Sequence, residues 1–215
     1  TVPAPRDDDA APDSPVAQNA TDDELPELAR MPLPPGVQGL HGFPRGAQPG
    51  TFLHGLLEMV AMEGFDQLAR SPDVLRDLIA RRCQRRGWMH WVDTLHAWLS
   101  ALLTQPFAVG DGRAMRLDGV AQYQSEMEFW FEASRVDTRA LDALVRAHEL
   151  PGLARPALMP DTVNGMFKGF IDLAFEHEGR YYVADYKSNW LGADETAYTR
   201  EAMEAAIASH RYDLQ

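Results

Sequence analysis

Residues 169–192 read GFIDLAFEHEGRYYVADYKSNWLG, and their pattern decides how the rest of the chain is understood. Two apolar runs, 167–175 and 181–186, flank the polar stretch Glu176-His177-Glu178-Gly179-Arg180. This predicts two strands joined as a β-hairpin, with Gly179 available for a positive φ. An aspartate interrupts each run: Asp172 sits between Ile171 and Leu173, and Asp185 between Ala184 and Tyr186. Lys187 follows, and a side-chain period of two puts residues 185 and 187 on one face. Two carboxylates on adjacent apolar strands cost on the order of several kcal/mol unless something binds between them. Paired oxygen donors of this kind suit Mg²⁺ or Mn²⁺. An isolated D-x-K tripeptide reads more readily as a surface salt bridge, so the hairpin context carries the argument.

Outward from the hairpin the period changes. Residues 123–131, YQSEMEFWF, alternate and are rich in aromatics, which predicts a third strand. Residues 138–149 predict a short helix around Leu141, Leu144 and Val145. Three helices are predicted before these strands. The first begins near Gly50 with Thr51 as N-cap and Phe52, Leu56, Leu57, Val60 and Ala61 at helical spacing. The second follows Ser71 with Pro72 at its first position and a stripe of Val74, Leu75, Leu78 and Ile79. The third covers residues 88–103 and stops at Pro106. A last helix is predicted over 193–212, its apolar face including Ala202, Met203, Ala206 and Ile207. The order implies an α+β fold: a small central sheet flanked by helices, with extra helices on its N-terminal side.

The 215 residues suffice for one domain and a tail. A single cysteine, Cys83, excludes a disulfide framework and fits a reducing cytoplasm. No apolar run is long enough to span a membrane, and the N-terminus lacks the layout of a signal peptide. Ten of the fifteen prolines lie in the first fifty residues, beside an acidic run. Residues 1–40 therefore read as an acidic, proline-rich linker with too little apolar surface to fold. Residues 1–30 carry a net charge of −6, half of the chain's −12, so the acidity does not exclude a DNA-cutting enzyme. The chain does not start with Met, and the expectation is that it begins inside a longer polypeptide.

Residues 169–192, above all Asp185-Tyr186-Lys187-Ser188-Asn189-Trp190-Leu191-Gly192, closely resemble the signature of the RecB nuclease domain in the PD-(D/E)XK superfamily. Pro44-Arg45-Gly46 and Gly50-Thr51-Phe52-Leu53-His54 resemble that family's first helix, and His210-Arg211-Tyr212-Asp213-Leu214-Gln215 resembles the helix after its active site. The resemblance covers about residues 40–215, with 72–105 the least diagnostic part. It implies a restriction-endonuclease-like core that hydrolyses DNA phosphodiesters with Mg²⁺, Mn²⁺ being a possible substitute. On this pattern Asp172, Asp185, His54 and the main-chain carbonyl of Tyr186 hold the metal, and Lys187 orients or activates the attacking water. Glu126 matches the family's additional acid, although Glu128 two residues on could replace it. Ser188, Asn189, Trp190 and Gln215 are candidate contacts to a single strand, and Trp190 fits packing under the last helix equally well. Gln215 would open a Gln-x-x-x-Tyr motif that the chain does not continue, so a core truncated at its C-terminus is expected. The resemblance further implies DNA strands, RecC- and RecD-like subunits and a helicase portion of its own longer chain as partners, in a bacterial cytoplasm. No phosphate-binding G-x-x-x-x-G-K-[ST] loop occurs in these residues.

Two other classes compete. A catalytically inactive DNA-binding or scaffold relative is disfavoured because Asp172, Asp185 and Lys187 are all present. A stand-alone site-specific endonuclease would need a base-reading element, and none is evident.

Overall fold

The first helix, α1 (Ala47–Glu63), starts earlier than the apolar spacing suggests. Pro49 falls in its first turn, where a missing N–H costs nothing. Thr51 is not the N-cap: its hydroxyl donates back to the carbonyl of Ala47 at 2.9 Å, inside the helix. Phe52, Leu56, Leu57, Met59, Val60 and Ala61 are buried as the spacing demands. Gly64, at φ +104°, ends α1 and lets a short helix, α2 (Phe65–Arg70), turn away. In α3 (Pro72–Gln84), Pro72 occupies the first turn as expected. Its buried stripe is Leu75, Ile79 and Cys83, whereas Val74 is exposed. A 3₁₀ turn, Met89–Trp91, leads into α4 (Val92–Thr104), which buries Leu95, Leu99 and Leu103. The structure, a computed structural model, describes residues 39–109 and 112–214. The expected linker up to residue 38 lies outside the described residues, and so does Gln215.

Residues 39–46 are fixed to these helices by aromatic packing. Phe43 is 4% exposed, and its ring centroid lies 5.2 Å from Trp88, 5.3 Å from Trp91 and 6.1 Å from Phe52. The edge-on contacts to the two tryptophans are the favoured aromatic geometry. They hold Arg45 and His41, on the same segment, at the edge of the helical layer.

A small antiparallel pair, β1 (Phe107–Val109) and β2 (Arg113–Met115), follows α4. The sequence reading missed it, because three-residue strands carry too few positions to show a period. The main sheet is an antiparallel meander of β3 (Gln122–Asp137), β4 (Thr162–His177) and β5 (Arg180–Ala184), in the order β3-β4-β5. β3 and β4 each run 16 residues, well beyond the nine that alternation suggests. The extension contains a bulge, where Arg135 takes φ +53° and its N–H donates to Asn164 Oδ1 at 2.7 Å. The β4–β5 connection is tighter than the five-residue loop expected. His177 pairs with Arg180, and the two residues between them take positive φ, Glu178 at +50° and Gly179 at +75°. This is the primed turn that matches strand twist. The sheet docks on the helices through Tyr123, whose ring stacks on Phe65 at 4.4 Å and whose hydroxyl donates to Ala61 O at 2.8 Å. Leu173 and Phe175 are buried beside it in register.

Between β3 and β4, α5 (Thr138–His148) is capped by Asp137, which accepts from Arg139 N. The last helix, α6 (Arg200–His210), is shorter than expected: a 3₁₀ turn, Glu195–Ala197, precedes it, and Thr199 is its N-cap. Arg211, in the left-handed region, ends it and leads into the turn Tyr212–Leu214. A chain of opposite charges binds this tail to α5. Arg155 pairs with Asp213, with side chains only 1% and 2% exposed. Arg211 reaches both Asp213 (3.2 Å) and Asp142 (2.7 Å), and Arg146 also reaches Asp142 (2.7 Å). Arg155 also donates to the carbonyls of Glu149 (2.6 Å) and Leu150 (2.8 Å). Removing one partner of such a buried pair costs about 3–5 kcal/mol, because the other charge is left without a partner. Among the described residues, six α-helices and two small antiparallel sheets make the α+β fold that the sequence implies. Among the described residues no helix is long and apolar enough to cross a membrane.

The Arg146 hydrogen bond, opposed by burial and aided by Arg211, holds the Asp142 carboxyl below the usual aspartate range. Its stabilising contribution is therefore full above the ordinary value of about 4 and is lost as pH falls through the lower folded value. Asp142→Asn is expected to lower the thermal midpoint at pH 7. It should also flatten the fall in midpoint below about pH 4, as read by circular dichroism melts across an acid series.

Candidate active site

The sheet brings the hairpin acids together. β4 and β5 pair up to Leu173↔Ala184, so each aspartate is the next residue beyond the last rung of the ladder. β5 itself ends at Ala184, two residues short of the expected strand, so Asp185 and Lys187 lie on the segment leaving the sheet. Tyr186 N–H donates to Asp172 Oδ2 at 2.6 Å, which fixes that segment against β4. Lys187 forms an ion pair with Asp185.

On the other side of β4, β3 pairs Ser125↔Leu173 and Met127↔Ile171, leaving Glu126 and Asp172 opposite each other between these steps. Glu126 takes φ +49°, a conformation L-residues with a long side chain seldom adopt. Its carboxyl is raised above the ordinary glutamate value, first by partial burial, then by the charges of Asp172 and Glu58, with His54 opposing. Glu128 sits in a different environment: it pairs with Lys168 at 3.0 Å and accepts from Trp130 Nε1 at 2.5 Å. Those bonds hold its carboxyl low. The two glutamates that the sequence left interchangeable are thus separated, Glu126 beside Asp172 and Glu128 on the Lys168 side of the ribbon.

α1 supplies the third wall. His54 Nδ1 lies 3.7 Å from Asp172 Oδ2, and the His54 ring meets Tyr186 edge-on at 6.2 Å. Glu58 is one helical turn further along the same face, where its charge is felt by Glu126. The sequence reading did not single out Glu58, although its four-residue spacing from His54 was available as a signal. The Tyr186 phenol is pushed up to about 12 by burial and by the charges of Asp172 and Glu126, so it stays neutral.

A second unanticipated residue is Tyr212. The ammonium of Lys187 stands 4.4 Å from the centroid of its ring, a cation–π contact. Tyr212 is carried by the tail that Arg155 and Arg211 bind through Asp213. The lysine is therefore held between an acid two residues before it and an aromatic ring from the far side of α6.

The candidate strand contacts line a groove next to these groups. Ser188, Asn189 and Trp190 face it together with His41, Arg45 and His54. Trp190 Nε1 donates to His41 O at 3.1 Å, and the Arg45 guanidinium lies 3.4 Å from its ring centroid.

The donor chemistry, two aspartates, an imidazole and a main-chain carbonyl, fits a hard divalent cation. Among the described residues, however, no three His, Cys, Asp or Glu side chains stand together as a ready-made metal cage. The geometry accounts for this, since Asp185 is engaged by Lys187 and Asp172 by the Tyr186 amide.

An α+β domain with an acid–acid–lysine constellation at the end of a hairpin is the class that fold and site define. No family model matches the chain. Over 177 residues, 81% of its length, it is 42% identical to the RecBCD enzyme subunit RecB of Escherichia coli. To the RecBCD enzyme subunit RecB of Haemophilus influenzae it is 31% identical over 190 residues, 88% of its length, and to that of Mycobacterium tuberculosis 28% identical over 206 residues. The chain is thus RecB-related, and the resemblance carried by residues 169–192 is borne out. It spans only 14% and 15% of the first two relatives.

One close approach shapes the segment after the lysine. A β-carbon on Gly192 would overlap that of Ala197 in the following 3₁₀ turn. Gly192→Ala is expected to cost about 1–3 kcal/mol, the usual range for overpacking. Ala197→Gly in the same chain should return most of it, as measured by paired urea melts; equal stability of the single variant and parent would contradict this contact.

Proposed function

We propose that this chain is a metal-dependent nuclease module that hydrolyses DNA phosphodiester bonds. In our reading it works within a RecBCD-like helicase–nuclease during double-strand-break repair, with RecC- and RecD-like subunits and a helicase portion of a longer chain as partners. One observation carries the proposal: Asp172, Asp185 and Lys187 stand together where β4 and β5 part, in a RecB-related chain. Asp172, Asp185, His54 and the Tyr186 carbonyl are the groups we assign to Mg²⁺, with Mn²⁺ as a substitute. The bound ion would supply Lewis-acid polarisation of a phosphoryl oxygen and lower the pKa of a coordinated water.

The chain's own residues account for the rest. Lys187 presents its ammonium to the phosphate and to the attacking water, offsetting charge that develops on the phosphoryl oxygens. The Tyr186 amide fixes the orientation of Asp172. Glu126 faces Asp172 across the strands, and partial burial with the charges of Asp172 and Glu58 raises its carboxyl above the ordinary glutamate value. Tyr212 limits the positions open to the Lys187 side chain, and orientation is a large part of such catalysis.

The test is cleavage of end-labelled single-stranded DNA with Mg²⁺. Asp185→Ala and Lys187→Ala should each lower the rate on the order of 10²-fold or more. Mg²⁺ should raise the thermal midpoint of the parent and not that of Asp185→Ala. Undiminished cleavage by Asp185→Ala would sink the assignment. DNA binding with no cleavage by the parent would favour the inactive scaffold. For Lys187, Tyr212→Phe keeps an aromatic face and is expected to retain most of kcat, whereas Tyr212→Leu should lower kcat about fivefold with KM little changed.

A further inference from the structure

The groove beside the hydrolytic groups has an unusual charge for this molecule. The chain carries a net charge of −12, yet no aspartate or glutamate lines the groove. Its charged side chains are Arg45 and Lys187, with His41 and His54 between them. Asp194 interacts electrostatically with His41 but does not line the wall. Lys187 shares its charge with Asp185, so Arg45 is the cation of the lining that faces the groove without a carboxylate beside it, and it draws anions there.

Arg45 and Trp190 give that groove a built end. The Arg45 guanidinium lies 3.4 Å from the Trp190 ring centroid, and the indole is anchored by its own N–H to His41 O. Phe43, buried among Trp88, Trp91 and Phe52, holds the segment that carries Arg45. Among the described residues Arg45 makes no ion pair or hydrogen bond. Stacking is its only contact of the kinds described, so its N–H fork remains available. Such a fork takes a phosphate bidentately, and the stacked ring preorganises it. Trp190 itself is 40% exposed and offers indole surface to a base. Lys187 and Trp190 are three residues apart, so their Cα atoms lie within about 10 Å, the scale of neighbouring nucleotides.

We propose that this groove is a nucleotide subsite for single-stranded nucleic acid, Arg45 taking the backbone phosphate next to the scissile one and Trp190 stacking on its base. The assignment rests on the nuclease reading above and adds the part of the substrate held outside the reacting phosphate.

The experiment measures binding apart from cleavage. Fluorescein-labelled oligo(dT) of twelve nucleotides is titrated with the full chain in EDTA, which prevents metal-dependent cutting, at several salt concentrations. Arg45→Gln is expected to weaken binding at least fivefold and to reduce the slope of log K against log salt by about 0.7, one phosphate contact on a single strand. Arg45→Lys should restore the slope but not the affinity, since an ammonium keeps the charge and lacks the stacked fork. Trp190→Leu should weaken binding about tenfold with little change in slope. Oligonucleotide quenching of tryptophan fluorescence should fall in Trp190→Phe. Melts of each variant separate a lost contact from a misplaced segment; weakened binding in a variant whose melt matches the parent's supports the subsite. If the parent binds and cuts DNA while Arg45→Gln and Trp190→Leu bind as tightly with unchanged slope, the subsite is wrong and the nuclease reading stands. If the parent neither binds nor cuts, the nuclease reading fails and the subsite with it.

Discussion

Glu126 and Asp172 face each other across paired strands, and like charges placed that way repel. The surroundings answer that repulsion from every side. The imidazole of His54 comes up against Asp172 from α1, and the Tyr186 amide donates to the same carboxylate from the segment leaving β5. Glu126 leaves regular strand conformation at this position and is raised toward its neutral form. A sheet built for stability alone would carry an apolar or aromatic pair here, as it does where Phe175 pairs with Tyr123 further along β4. Strain and repulsion are concentrated at this one cross-strand pair, which packing alone does not explain.

Much of this was legible from the sequence, for a definite reason. Asp172, Asp185 and Lys187 lie within one hairpin, where the strand period and a two-residue turn leave little freedom in how they meet. The helices were legible in type, because their apolar spacing is the spacing that buries them, but less so in their limits. Thr51 looks like an N-cap in isolation, yet Pro49 suits a first helical turn, and the helix begins before either. The strands ran longer than alternation alone suggests because pairing with a neighbour, rather than side-chain period, sustains β3 past residue 131 and β4 ahead of residue 167.

What could not be read was non-local. Glu58 meets Glu126, and Tyr212 meets Lys187, through contacts between elements far apart in the chain. Nothing in the local spacing of a tyrosine after a helix says that its ring will lie against a lysine 25 positions earlier. The choice between Glu126 and Glu128 was open for the same cause. Only the register with β4 and the capture of Glu128 by Lys168 separate two acids that look equivalent along a strand.

The anchoring of Tyr212 also bears on how the protein is made. The helices α1 to α4 precede every candidate site residue except His54, and their contacts are largely local, so they can pack while the ribosome is still translating β3. Lys187 emerges before the tail that holds it, and that tail is fixed by Asp213 on Arg155 and Arg211 on Asp142. A nascent chain therefore exposes its lysine without the ring that positions it. The order of synthesis thus leaves the lysine's position to be set last, by residues that leave the ribosome after it.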